Sequence, residues 1–308
     1  MKIGFLFAGQ GSEYVSMGKE LYDEYKEARN VFDNINLDFD VKNLCFNGPY
    51  EILHDTKYAQ SCILATSLAI AEVVKSYGIV PSYVAGLSLG EYSALCYAGA
   101  FDICTALEIT KERGRIMADA LKEGTTSMAA VIGLDEEIIK KICNEVSENY
   151  GVCEIANYNA PGQIVITGEN NAIKIAEEKL LEKGAKRVIK TNDRAFHSSL
   201  LEDASKELKK VLQSKTIKKP NIKVVYNISG KEEHKNLVDV LTNQIKSSVY
   251  FKNQVEYMIN KGVNTFIEIG PGSVLKGLVK RINSDVKVYS VDSVKSINEM
   301  LSEVKENE

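Results

Sequence analysis

Apolar residues fall along this chain in short unbroken runs, separated by longer stretches in which they recur every three or four positions. The first run, IGFLF (3–7), meets Ala8-Gly9-Gln10-Gly11 and is followed by a helical stretch near 17–30. Residues 60–77 read as a helix, and Gly78 to Pro81 end it. SYVAGL (82–87) reads as a strand and LGEYSALCYAG (89–99) as a helix rich in small residues. Asp102 is placed to cap another helix, running to about Leu121. A strand followed by a helix, repeated, predicts a mostly parallel sheet with helices on its faces.

The rhythm then changes. MAAVIGL (128–134) is a strand, DEEIIKKICNEVSE (135–148) a helix, and VCEIANY (152–158) and QIVITGE (163–169) are strands joined by a turn at Asn159-Ala160-Pro161-Gly162. A helix over 171–184 and a strand over 185–191 complete the order βαββαβ, a ferredoxin-like unit. Helix 198–213, strand 222–228, helices 237–246 and 252–261, strand 264–270, a helix to Ile282 and strand 286–292 then return to the first sheet. The tail SEVKENE reads as a solvated end. The fold expected is α/β: a discontinuous large domain, 1–124 and 193–308, with a small ferredoxin-like domain, 125–192, inserted in it.

Composition narrows the classes of function. The 308 residues suffice for one large or two medium domains. A net charge of −4 argues against a general nucleic-acid binder. The opening apolar run is too short for a signal peptide or a membrane span, so a cytoplasmic protein without membrane association is expected. Six cysteines (Cys45, Cys62, Cys96, Cys104, Cys143, Cys153) form no C-x-x-C pair, and free buried thiols follow. No metal site is expected, because the three histidines do not cluster with them.

Chemistry concentrates at Gly86-Leu87-Ser88-Leu89-Gly90. A G-x-S-x-G between strand and helix forces its serine onto a sharp turn, where a Cβ at either glycine would clash. The plainer reading is a small-residue turn that lets the helix pack closely. A serine nucleophile needs a base. His234 lies in a charged loop, and His54 in a helical surface stretch with no turn to present it. His197, in DRAFHSSLL, sits where a strand ends and a helix begins, although it also reads as a helix-start histidine satisfied by backbone. Serine before histidine is the chain order of α/β-hydrolase-type folds. The N–H of Leu89 and one from the Gly9-Gln10-Gly11 loop are candidate oxyanion donors. That loop lacks the third glycine of a dinucleotide fingerprint, since Tyr14 stands there. Arg113 lies at the edge of an apolar helical stripe. Its head either reaches water or is a fork for a substrate carboxylate.

Together these segments resemble the malonyl-CoA:acyl carrier protein transacylases over nearly the whole chain. GQGSEYVSMG, GLSLGEYSAL, ERGRIM, SMAAVIGL, NYNAPGQIVITG, FHSSLL and FIEIGPGSVLKGLVKRI follow in the family's order. The resemblance implies an α/β-hydrolase-like large domain and malonyl transfer from coenzyme A, through Ser88, to the phosphopantetheine thiol of an acyl carrier protein. It implies His197 as general base and then acid, the Gln244 carbonyl orienting it, Gln10 and Leu89 as oxyanion donors, and Arg113 on the malonyl carboxylate. Asn157, Asn159 and Phe196 are further pocket candidates. No cofactor stays bound, and a monomer is expected. Leu87 stands where the family commonly has histidine, Ala8 where it often has proline, and Ser247-Ser248 where it often has a proline-containing turn. Leu87, next to Ser88 at a strand end, is expected to point away from it. Lys183, Lys186, Arg187, Lys190, Lys280 and Arg281 are candidates for a basic patch steering the carrier. A serine esterase or thioesterase is the rival enzyme, but it admits water and leaves Arg113 without a purpose. A non-catalytic docking module is the other.

Overall fold

Elements are numbered in chain order, and the structure, a computed structural model, describes residues 1–191 and 194–305. The fully apolar first run is β1 (Ile3–Phe7), buried along its length in the middle of a five-stranded sheet. On one side lie β2 (Tyr83–Gly86) and β7 (Lys223–Val224), on the other β8 (Thr265–Ile269) and β9 (Lys287–Val291). Every pairing is parallel, and helices cover both faces, which explains why these strands read as continuous rather than alternating apolar runs. The longest cover is α5 (Thr56–Ser76) with α7 (Ile103–Ala120), whose Asp102 cap accepts from the Thr105 amide at 2.7 Å.

The second sheet is antiparallel, in the order β4 (Cys153–Ala160), β5 (Gln163–Glu169), β3 (Thr126–Ile132), β6 (Arg187–Thr191). Helices α8 (Glu136–Tyr150) and α9 (Asn170–Glu182) complete the βαββαβ order and pack on one face. Ala129, Val131, Ile164 and Ile166 point into that helix-covered core, while Met128, Ala130, Val165 and Thr191 line a cavity on the other face. The strand period of two thus makes this sheet the roof of the site. The expected limit at 192/193 falls outside the described residues.

The structure corrects several expectations. The helix near 17–30 is two, α1 (Lys19–Glu24) and α2 (Lys26–Asp33), because Tyr25 between them is extended. The strand expected over 222–228 pairs only at Lys223–Val224, since Tyr226 donates to the Lys231 carbonyl and the Asn227 amide to Glu91. Helices α3 (Val41–Asn47) and α14 (Val294–Lys305) have no counterpart in the expected order, whereas α4 (Tyr50–Leu53) is the helical stretch expected at His54. Within the tail SEVKENE, Val304 is buried, continuing the helical spacing of the buried Ile297, Met300 and Leu301 before it. Nor are all the thiols buried, because Cys104 is exposed and Cys96 half-buried. Among the described residues, no helix is long and apolar enough to cross a membrane.

Because Ile297 is fully buried, Ile297→Ala should destabilise the protein by about 2–5 kcal/mol in urea unfolding. A loss under about 0.5 kcal/mol, the scale of surface substitutions, would mean that α14 does not belong to the core.

Candidate active site

Ser88 sits between the end of β2 and the start of α6 (Gly90–Tyr97), with φ of 51°, in the left-handed region that non-glycine residues avoid. The flanking glycines make the turn possible. A Cβ on Gly86 would lie 2.0 Å from the Gly90 backbone carbon, and one on Gly90 would lie 2.1 Å from the Phe7 carbonyl oxygen. The strained serine is therefore held by close backbone packing on both sides. Its hydroxyl is 2.7 Å from His197 Nε2.

His197 also has a left-handed backbone, φ 57°, and its amide donates to the Ile245 carbonyl at 3.0 Å. Its Nδ1 faces two carbonyls, Gln244 at 2.9 Å and Ser247 at 3.2 Å. Both are acceptors, so Nδ1 carries the proton and Nε2 is free to accept from Ser88. The serines that replace the proline-containing turn leave the Gln244 carbonyl in place, and Ser248 Oγ anchors that loop to the Ile155 carbonyl at 2.5 Å. Burial and the neighbouring Arg113 cation push the imidazole pKa down to about 4, against smaller opposing effects of the two carbonyls. The imidazole is thus neutral at physiological pH and able to act as a base.

Arg113 does not reach water. Its side chain is among the largest fully buried ones, one face lying over the Tyr92 ring at 5.1 Å. Nη1 donates to Gln60 Oε1 at 2.7 Å, and Nη2 to Gln244 Oε1 at 2.9 Å and Ser88 Oγ at 3.3 Å. Among the described residues no carboxylate pairs with it. Glu91 is equally buried, but burial raises its carboxyl to about 8, so at neutral pH it carries a proton and does not neutralise the guanidinium. Gln244 in turn donates to the Ser88 carbonyl at 2.7 Å and to Asn227 Oδ1 at 3.0 Å. Asn227 donates to the Gly86 carbonyl at 2.6 Å, and its amide to Glu91 at 2.5 Å. This net fixes Ser88, His197 and Arg113 as one unit.

A cavity of about 730 Å³ opens onto this unit, lined by Gln10, Ser88, Asn157, Asn159, Phe196 and His197 among others. Gln10 Nε2 donates to Thr56 Oγ1 at 2.9 Å and its Oε1 accepts from Gln60 at 3.3 Å, which holds the first loop beside Ser88. Leu89, buried, follows Ser88 at the N-terminus of α6. The Asn159 side-chain oxygen is buried with no partner. Leu87 also lies on the cavity wall, its side chain packed against an apolar cluster that includes Ala160. It keeps the parity of Tyr83 and Ala85, which belong to the same cluster, while Val84 packs on the opposite face of the sheet. His54 lines the rim, where its Nδ1 pairs with the buried Glu13 carboxylate, which also accepts from the Gly11 amide at 2.8 Å. It braces the first loop, while His234 is exposed elsewhere. Sequence reasoning missed Gln60, Glu91 and Asn227. Glu91 stands inside the serine motif, and the other two carry no local signal. Among the described residues, no cluster of three or more His, Cys, Asp or Glu is placed to hold a metal ion.

A strained serine paired with a carbonyl-held histidine, on a sheet of this topology with an antiparallel roof, defines an acyl-group transfer site. The chain belongs to the acyl transferase domain family, whose model matches residues 4–306. It is 40% identical over 310 residues to the malonyl CoA-acyl carrier protein transacylase of Bacillus subtilis, covering 99% of this chain and 98% of that one. The crystal structure of malonyl CoA-acyl carrier protein transacylase from Clostridium perfringens superposes with a TM-score of 0.97 at 42% identity, over 99% and 98% of the two chains. A type II PKS acyl-carrier protein in complex with its malonyl-transacylase gives 0.95 at 34%, over 98% and 100%.

The Glu91 carboxyl supplies a stability test. Its folded pKa is raised above the ordinary 4.5, so its contribution is fully present below pH 4.5 and is lost as pH rises toward about 8. Glu91→Gln, which mimics the protonated acid, should remove that decline from the pH–stability profile. Identical profiles for the two proteins would show that Glu91 does not carry the proton.

Proposed function

We propose that this protein transfers the malonyl group of malonyl-CoA to the phosphopantetheine thiol of an acyl carrier protein, by a ping-pong route through a malonyl-Ser88 ester. The observation that carries it is the unpaired, buried Arg113 guanidinium 3.3 Å from the nucleophile. A thioester whose acyl group ends in a carboxylate places that charge where the cation lacks one, and the guanidinium offers two parallel donors. A thioesterase has no need of such a group.

His197 Nε2 accepts the Ser88 proton as Oγ attacks the thioester carbonyl. The N–H groups of Gln10 and Leu89 receive the oxyanion. Collapse breaks the carbon–sulfur bond, and the imidazolium returns its proton to the departing coenzyme A sulfur. The second half runs in reverse: His197 deprotonates the pantetheine thiol, which attacks the ester, and Ser88 leaves with the proton. Asn157, Asn159 and Phe196 border the acyl group. The reading takes the protein as a monomeric cytoplasmic enzyme needing no bound cofactor; its six free thiols support a reducing compartment.

Incubation with malonyl-CoA should add one malonyl group to the intact mass, and a thiol acceptor should remove it. Ser88→Ala should stay folded, gain no mass and lose transfer. Steady hydrolysis without a thiol acceptor would favour the thioesterase instead.

Arg113→Ala removes one partner of a desolvated charge pair, a change worth about 2–5 kcal/mol, so malonyl transfer should fall roughly thirty- to several-thousand-fold. Arg113→Lys should rescue only in part, and acetyl transfer should hold or rise. Equal loss of both activities, read as kcat/KM, would make Arg113 structural only.

A further inference from the structure

The loop from Gly9 to Glu13 ties down its own peptide planes. Ser12 Oγ donates to the Gly9 carbonyl at 2.7 Å. The Gly9–Gln10 peptide is trans and planar, so fixing its carbonyl on Ser12 also fixes the Gln10 N–H, which points the opposite way. The next plane is held too, because the Gly11 amide donates to Glu13 Oε2 at 2.8 Å. Gly11 itself has a φ of 93°, a left-handed value that suits glycine. The loop is also pressed against the serine turn: a Cβ on Gly9 would lie 2.5 Å from the Leu87 carbonyl oxygen. Gly9, Gln10 and Gly11 all line the cavity. Among the described residues, neither the Gln10 nor the Leu89 amide has a protein acceptor.

Glu13 brings a charge into this arrangement. Its side chain is 0% exposed, and a carboxylate so buried needs donors on both oxygens. Oε2 takes the Gly11 amide, and Oε1 takes His54 Nδ1. A carboxylate only accepts, so Nδ1 is the donor. The imidazole reaches Glu13 from the surface, with 47% of its side chain exposed. It is held there from α4: the ring stacks on Tyr50 with centroids 5.2 Å apart, and the His54 amide donates to the Tyr50 carbonyl at 2.8 Å. Without His54, one oxygen of the carboxylate would be desolvated and unpaired. His54 therefore secures Glu13, and Glu13 secures the loop.

We propose that Ser12, Glu13 and His54 are positioning residues for the transfer reaction, holding the Gln10 N–H aimed at the developing oxyanion. This deepens the transferase reading and rests on it. A backbone donor stabilises a tetrahedral intermediate best when it is fixed beforehand, because a dipole that must turn during the reaction stabilises less. With glycine at 9 and 11, the most permissive of residues, the loop does not take its direction from the backbone alone. Two side chains of the loop and one from the end of α4 supply it. Their bonds run to the loop and to each other, not to Ser88, His197 or Arg113. They therefore act on rate and not on the choice of acyl group.

The test is single-turnover formation of the malonyl-Ser88 ester, followed by intact mass. Ser12→Ala and Glu13→Ala should each slow the maximal rate about tenfold, less than the roughly hundred- to thousand-fold loss of a whole oxyanion donor. The malonyl-CoA concentration that gives half the maximal rate should stay as in wild type. Acetyl-CoA should slow by the same factor, because the oxyanion forms on the carbonyl that both thioesters share, whereas Arg113→Ala separates the two. Glu13→Gln should restore most of the rate, since its amide oxygen still accepts from Gly11. His54→Ala should slow the wild-type background but cost little in Glu13→Gln, where no buried charge is left unpaired. Ser12 is only half-buried, so Ser12→Ala keeps the test open if Glu13→Ala fails to fold. Unchanged maximal rates in the alanine variants overturn the proposal, as does a loss confined to half-saturation or to one thioester. A His54→Ala loss equally large in both backgrounds overturns the part given to His54. A wild type that forms no malonyl ester brings down the transferase reading itself, and with it this one.

Discussion

A full positive charge is buried beside Ser88, and among the described residues no carboxylate pairs with it. The surroundings of Arg113 follow from that constraint. Desolvating a guanidinium costs several kcal/mol unless its donors are satisfied, and here neutral amides, Gln60 and Gln244, accept from it. Burial, joined by the same charge, holds the His197 imidazole neutral, and the buried Glu91 is itself kept protonated by burial. A carboxylate arriving with substrate would therefore meet a cation already stripped of water, with its hydrogen-bonding fork fixed in direction.

Gln244 couples that cation to Ser88 and His197. Its carbonyl fixes the His197 tautomer, its side-chain oxygen accepts from Arg113, and its side-chain nitrogen donates to the carbonyl of Ser88 itself. One residue at the end of α11 (Leu237–Gln244) thus ties together three segments far apart in the chain. Ser88 and His197 both hold left-handed backbones, and such strain persists only where surrounding structure over-determines it. The close approach of Gly86 and Gly90 supplies it for the serine, and the amide bond to Ile245 helps supply it for the histidine.

The roof is a division of labour within strands. On β3 and β5, residues pointing one way make the core of the small sheet, and their neighbours line the cavity. A substitution one position along either strand therefore acts on stability or on the site, depending on parity. Two bulges in β4 shift this parity between Ile155 and Ala160, and Asn157 and Asn159 fall on the cavity side.

The sequence by itself determined much of this protein. Continuous apolar runs announced a buried parallel sheet, the βαββαβ rhythm announced the antiparallel one, and strand–serine–helix announced the sharp turn at Ser88, because each is a local pattern fixed by backbone sterics. The helical spacing of Ile297, Met300, Leu301 and Val304 is a local signal of α14 as well, although only the last of them lies in the stretch expected to be solvated. Other features were not local. That Arg113 is buried rather than solvated, that Leu87 meets the cavity, and that Gln60 and Asn227 belong to the site depend on which segments pack together. A glutamine in α5 has no signature of its own, since its role is defined by the guanidinium that tertiary packing brings against it from α7. Periodicity reports what a segment does with its own neighbours; charge compensation across the core is decided only when the core closes.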